Sequence, residues 1–333
     1  MTTIIIALIV FGVLVIFHEF GHFSTAKLVG IKVHEFSIGM GPRIFKISGK
    51  ETEYSIRILP IGGFVKMEGE DESSTDERSF NNKPVWARFL VIAAGSFMNF
   101  VLGILLFTII FYSVGFPTTT IKEITPGLPA EKAGIQVGDK IVSIDGVQMD
   151  RWEKIVETIH NKKDKEMEIL LLRNNQEKKI SVRPILNEET DRAVIGISPT
   201  TEKSLLQSLK ASMERIVFIT KGMLGFFSQL FAGKASADDV VGPVGIIHLV
   251  GEAAKFGIYN VMSLAALISI NLGIVNLLPI PALDGARLLF LLVEGVTGKP
   301  INPEKEGLVH FIGFVLLMGL MLFIVYKDIV RFY

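Results

Sequence analysis

The pentapeptide His18-Glu19-Phe20-Gly21-His22 closes an apolar run over residues 4–17, and it constrains this chain more than any other stretch. Side chains four apart on a helix share a face. His18 and His22 can therefore grip one metal ion, while Glu19 projects about 100° around the axis. A carboxylate then lies beside the coordination position left open, where a water would be activated. The plain alternative is a polar helix end facing a wet crevice. Ionisable groups at membrane depth are costly and default to a functional reading. A first span is expected over residues 3–27. Its apolar part is about 15 residues rather than about 20, because the motif fills the last turns.

The other totals narrow the classes. With 333 residues there is room for about two or three units. Mean hydropathy is +0.46, high for a chain that lives only in water. Thirty-four basic and 34 acidic residues cancel, so bulk charge makes no case for nucleic acid, and none is expected as a partner. Cysteine is absent, which removes thiolate ligands, thiol nucleophiles and disulfides together. Met1-Thr2-Thr3 has no basic n-region and no small-residue cleavage site follows, so the first span reads as retained.

Along the chain, residues 1–30 carry this span and the metal motif. Residues 31–87 are rich in Gly, Pro and alternating short runs such as Tyr54-Ser55-Ile56-Arg57-Ile58-Leu59, which predicts a β-rich loop. Its many Lys and Arg put it on the cytoplasmic side, and its acidic stretch over 68–82 is expected to be mobile. A second span fills residues 88–116. Its Asn99 suits a bond to a neighbouring helix and a site role equally. Charge returns over residues 117–198, an α+β insert with a hairpin turn at Asn174-Asn175 and a helix over 151–160. Residues 199–256 form an amphipathic segment lying at the interface, its apolar face drawn by Leu205, Leu209, Met213 and Ile216. Residues 257–293 hold a third span broken at Pro279 and Pro281, which cannot continue a helix. Asp284 follows the break, and an acid there is expensive unless paired or metal-bound. It is the natural third ligand that the two histidines lack. Residues 294–333 supply a loop and a fourth span. With the β-rich loop inside, four crossings bring Asp284 to the side of His22, and five would not.

The run Pro126-Gly127-Leu128-Pro129-Ala130-Glu131-Lys132-Ala133-Gly134-Ile135-Gln136-Val137-Gly138-Asp139-Lys140-Ile141 resembles the PDZ modules of bacterial membrane and periplasmic proteases. Together with His18-Glu19-Phe20-Gly21-His22, Asn276-Leu277-Leu278-Pro279-Ile280-Pro281-Ala282-Leu283-Asp284-Gly285, Gly39-Met40-Gly41-Pro42 and Pro60-Ile61-Gly62-Gly63-Phe64-Val65-Lys66-Met67, it makes the whole chain resemble the bacterial site-2 proteases of the regulator-of-sigma-E type. The resemblance implies a polytopic α-helical membrane protein with about four transmembrane helices, a membrane-associated β-rich loop and an inserted extracytoplasmic PDZ-like domain. It implies Zn2+ bound by His18, His22 and Asp284, with Glu19 as general base. Asn276 and the loop at Gly62, Gly63, Phe64 and Val65 would hold the substrate. Substrates would be single-pass transmembrane proteins, namely anti-sigma factors after a first cut or signal-peptide remnants, in the bacterial inner membrane. The active site would face the cytoplasmic side, and a peptide C-terminus would suit the PDZ-like domain. Ser96 stands where relatives often have proline, and Ala286-Arg287 where Gly-His is common. A metal-ion transporter and a non-catalytic PDZ-bearing membrane adaptor are the alternative readings.

Overall fold

A computed structural model describes residues 2–70, 74–187, 192–234 and 241–332. Of the stretch expected to be mobile, residues 71–73 lie outside the described residues. The elements in order are α1 (Thr2–Leu28), β1 (Val33–Ser48), β2 (Glu53–Met67), a 3-10 turn, α2 (Val85–Val114), β3 (Phe116–Ile124), α3 (Pro129–Lys132), β4 (Lys140–Ile144), β5 (Val147–Gln148) and α4 (Trp152–Asn161). They continue with β6 (Met167–Arg173), β7 (Gln176–Val182), β8 (Ile185–Asn187), β9 (Arg192–Val194), β10 (Ile197–Glu202), α5 (Leu205–Phe231), α6 (Pro243–Lys255), α7 (Ile258–Asn276), α8 (Asp284–Thr297) and α9 (Pro303–Phe332). Four helices among the described residues are long and apolar enough to cross a membrane, namely α1, α2, α7 and α9. The chain divides into one unit of Met1–Ile110 with Leu209–Tyr333 and another of Phe111–Ser208.

In the first unit, α1, α2 and α7 pack through small residues. A Cβ added at Gly21 would lie 2.2 Å from the Ala94 carbonyl oxygen, and one at Gly103 would lie 2.8 Å from Ile270. Such close backbone approach is how helices associate where lipid removes the hydrophobic drive. Val10, Leu14, Leu102, Val261 and Ala265 form the apolar core of this trio. A second cluster, including Ala26, Val33, Val65, Met67, Val91, Leu288 and Leu291, fastens the β-hairpin and α8 to the far end of α1.

The hairpin is wider than two strands, because both β1 and β2 bend. Phe36 faces Val65 on one side and Tyr54 on the other, and Ile38 faces Gly63 and Ile56 likewise. Phe45 in turn pairs with Ile56. The resulting order is 63–67, 33–38, 53–57, 43–48. Residues 63–67 are thus an edge strand, and no other strand among the described residues pairs with its outer side.

One face of this sheet buries Glu35, which is 5% exposed. Its Oε1 accepts hydrogen bonds from Ser55 (2.6 Å) and Arg57 (2.8 Å), and its Oε2 accepts one from Arg43 (3.0 Å). Burial pushes the carboxyl up, but the bonds from Ser55 and Arg57 outweigh it and hold the group below its ordinary value. A lowered folded pKa stabilises fully above the ordinary value of 4.5, and the stabilisation is lost as pH falls through the folded value. Glu35→Gln is expected to cost about 1–3 kcal/mol at neutral pH and to remove this part of the acid sensitivity. Thermal midpoints of both proteins between about pH 3 and about pH 7 check it, and parallel curves would refute it.

The second unit carries the antiparallel sheet β10-β3-β4-β6-β7, with β5 paired to β4 and a separate β8–β9 hairpin. Ile121, Ile141, Ile144, Ile155, Met167, Ile169 and Leu171 are the heart of its core. Asn174 and Asn175 both have positive φ, 51° and 64°, in the two-residue turn between β6 and β7. That pair of left-handed residues matches the twist of the flanking strands. Asp139, 1% exposed, accepts both arms of Arg173 at 2.6 Å and the Gln136 N–H at 2.8 Å. The unit is longer than the span 117–198 read from composition. Phe116 pairs with Glu202, so strand pairing extends past the point where charge returns.

On α5 the stripe expected to face the interface is exposed at three of its four positions. Ser208, Ser212, Ile216 and Ile219 are the buried positions, while Leu205, Leu209 and Met213 are exposed. Thr108 donates to the Ser212 hydroxyl at 3.0 Å. Lipid can cover the apolar face of a helix at the interface, and the small serines turn inward instead.

Candidate active site

Five elements, α1, β2, α2, α7 and α8, converge on one point of the first unit. His18 and His22 stand one turn apart near the end of α1, their Nε2 atoms 3.2 Å apart. Asp284 opens α8, where a carboxylate suits the positive end of the helix dipole. Its Oδ2 lies 3.4 Å from His18 Nε2 and 3.5 Å from His22 Nε2. A tetrahedral ion with bonds of about 2.0–2.1 Å requires donor atoms about 3.3 Å apart. The three separations cluster on that value. Asp284 Oδ2 is buried, yet no hydrogen bond of acceptable geometry reaches it. An orphaned carboxylate oxygen facing two imidazole nitrogens is satisfied by a cation. The residues fit zinc, with a fourth position left open for water or substrate.

The supports are specific. His22 Nδ1 lies 2.8 Å from the Val91 carbonyl oxygen of α2, which aims Nε2 at the ion. Gly95 makes room for this, because a Cβ there would sit 2.2 Å from His22 Nε2. Between α7 and α8 the chain doubles back. A Cβ at Gly285 would meet the Leu278 carbonyl oxygen at 2.1 Å, so only glycine allows Asp284 to return beside the histidines. Ala282 takes φ +73°, a conformation rare for a residue with a side chain. His310 Nδ1 of α9 accepts the Ala282 N–H at 3.0 Å and holds this turn.

Glu19 lies beside the edge strand. A Cβ at Gly63 would approach Glu19 Cγ to 2.9 Å, so the strand passes directly over the carboxylate-bearing side chain. Phe64 and Val65 continue that strand, with Gly62 just before it at φ +80°. Asn276 ends α7 with Nδ2 3.5 Å from His18 Nε2. A cavity of 480 Å³ opens beyond Asp284, lined by Ala282, Leu283, Arg287, His310, Phe311 and Phe314. Arg287 pairs with Glu70 just past β2. Sequence reasoning missed His310 and the Arg287–Glu70 pair. An ionisable residue inside the last apolar run was a usable signal for the first, whereas the second joins positions too far apart in sequence to be seen.

A metal-fitting triad, a neighbouring carboxylate and four apolar helices define an intramembrane zinc metallopeptidase. Residues 6–320 match Peptidase family M50, and the chain belongs to that family. It is 42% identical over 329 residues to a protein of Clostridium acetobutylicum named as a candidate zinc metalloprotease, covering 98% of this chain and 97% of that one. It is 36% identical over 418 residues to the regulator of sigma-W protease RasP of Bacillus subtilis, covering 99% of each. The PDZ domain of an SdrC-like protein from Listeria monocytogenes aligns with 26% of this chain and 90% of its own, at 19% identity and a TM-score of 0.24. The family sets aside the transporter and adaptor readings, since it consists of zinc-dependent peptidases of the site-2 type that act in regulated intramembrane proteolysis.

Proposed function

We propose that this peptidase cuts within transmembrane segments of single-pass proteins, with His18, His22 and Asp284 holding zinc and Glu19 moving the protons. One observation carries the reading: three donor atoms at tetrahedral spacing lie next to a carboxylate crossed by an edge strand, with whose outer side no other strand among the described residues pairs. Bound there, zinc would supply Lewis acidity and lower the pKa of a bound water toward neutrality. The Glu19 carboxylate accepts a proton from the attacking water as its oxygen bonds to the scissile carbonyl carbon. Glu19 then delivers that proton to the amide nitrogen as the C–N bond breaks. A transmembrane helix satisfies its own backbone groups, so the substrate must unwind before attack. Residues 62–65 would replace the lost hydrogen bonds by adding the substrate as a further strand, and the Asn276 amide would bond its backbone near the ion.

The remaining assignments follow from the same reading. The chain is a multi-pass protein of the bacterial inner membrane with its active site toward the cytoplasm. The Phe111–Ser208 unit is an extracytoplasmic PDZ-like domain that excludes bulky ectodomains or captures a peptide C-terminus. Anti-sigma factors after a first cut and signal-peptide remnants are the substrates of this reading, the former in keeping with the name of the Bacillus subtilis relative, regulator of sigma-W protease.

The absence of cysteine permits a direct test. Phe64→Cys and Val65→Cys, each in a Glu19→Gln background, are expected to form disulfides with single cysteines placed on alternate residues around the scissile bond of a bound substrate. Alternation is the mark of a strand. A substrate that binds without cross-linking to either position would sink the strand-addition model.

A further inference from the structure

We propose that Asn99 is the hydrogen-bond acceptor that holds His18 in the tautomer needed to ligate the metal through Nε2. The inference rests on the reading that His18 is a zinc ligand. A neutral imidazole carries one proton, so a ring that ligates through Nε2 must bear it on Nδ1. That N–H then needs an acceptor, and ligating histidines nearly always have one. For His22 the acceptor is the Val91 carbonyl oxygen, 2.8 Å from Nδ1 and unable to donate. For His18 the group facing Nδ1 is the side-chain amide of Asn99, 3.1 Å away.

The surroundings of Asn99 suit this role better than helix adhesion. It lies on α2 with no solvent exposure, and its Oδ1 is buried without a hydrogen-bond partner. The two ends of a carboxamide exchange by a half turn about its last bond. That half turn sets Oδ1 on His18 Nδ1 and satisfies both atoms at once, whereas an amide N–H at the same place would force the imidazole proton onto Nε2, where the ion must bind. Backbone and side chain are both pinned. Ser269 of α7 donates to the Asn99 carbonyl at 2.8 Å, and a Cβ at Gly273 would come within 3.3 Å of Asn99 Cβ. The side chain therefore reaches α1 from a fixed base, and it touches the metal only through His18. It is a positioning residue.

The experiment measures zinc affinity by chelator competition on the purified full-length protein, with thermal unfolding of the zinc-free forms alongside. Asn99→Leu, which keeps the volume and removes the acceptor, is expected to weaken zinc binding by about 10–100-fold. Asn99→Asp keeps an acceptor at the same place and should stay within a few-fold of wild type. A packing role predicts instead that both variants lose thermal stability and neither changes affinity selectively. Zinc affinity of Asn99→Leu within about twofold of wild type, or an equal loss in Asn99→Asp, overturns the proposal. If Asn99→Leu does not fold, the 15N resonances of His18 in the zinc-free wild type decide, assigned by their loss in His18→Gln. A proton on Nδ1 supports the assignment, and a proton on Nε2 overturns it. His18→Ala separates the two readings. Unchanged zinc stoichiometry there would sink the ligand assignment itself, whereas lost zinc there with normal binding in Asn99→Leu sinks only the role of Asn99.

Discussion

Glu19→Gln is expected to abolish cleavage of a transmembrane substrate while leaving zinc bound. The substitution keeps the length and shape of the side chain, so the edge strand that lies against Glu19 Cγ at Gly63 need not move. None of the three donor atoms at tetrahedral spacing belongs to residue 19. Only the ability to take and return a proton is removed, which is worth about 10²–10⁴ in rate. A tagged single-pass protein with a trimmed ectodomain, incubated in detergent, provides the measurement. Wild type should cut it, wild type with a chelator should not, and the variant should not although metal analysis finds its zinc. Cleavage surviving in Glu19→Gln would mean that another group carries the proton. Loss of zinc in the variant would mean that Glu19 belongs to the ligand set.

The second large effect is expected at Gly95, a residue with no chemistry of its own. A methyl group there would stand 2.2 Å from His22 Nε2 and 2.8 Å from His18 Cε1, closer than any Cβ is found. Both rings must retreat, yet His22 is tied to Val91 and cannot swing without breaking that bond. Gly95→Ala should therefore lose zinc and activity together, and overpacking should lower stability by about 1–3 kcal/mol. Gly12 is the control, on α1 but with nothing within 4 Å of its added Cβ. Gly12→Ala should bind zinc normally and stay within about 1 kcal/mol of wild type. Equal zinc content in Gly95→Ala and Gly12→Ala would show that the bundle yields more than close packing allows.

Much of the site was legible from the chain because its chemistry is local. The i, i+4 spacing of His18 and His22 needs only a helix to become a pair of ligands. The apolar runs needed only their length to read as spans, and Asn174-Asn175 needed only the left-handed tolerance of asparagine to read as a turn. Asp284 stood out because an acid beside two prolines in apolar sequence is too costly to be idle. Contacts between distant segments were not legible. The bond from Asn99 to His18 spans 81 positions, and the prop from His310 to Ala282 depends on how α9 meets the turn before α8. Nor was the double pairing of residues 33–38 legible, with 63–67 on one side and 53–56 on the other.

The face of α5 marks the boundary most clearly. Leu205, Leu209 and Met213 form the apolar face that the sequence reads as interfacial, and they are exposed; that Ser208 and Ser212 are the buried positions was not legible. The i, i+4 spacing of His18 and His22 and the four long apolar helices among the described residues could be read from the chain, because these depend on neighbouring residues and chain length. Which faces turn inward and which groups meet each imidazole were set by the tertiary structure. Those choices depend on helix contacts made through glycine and serine, and in lipid hydropathy no longer tells inside from outside.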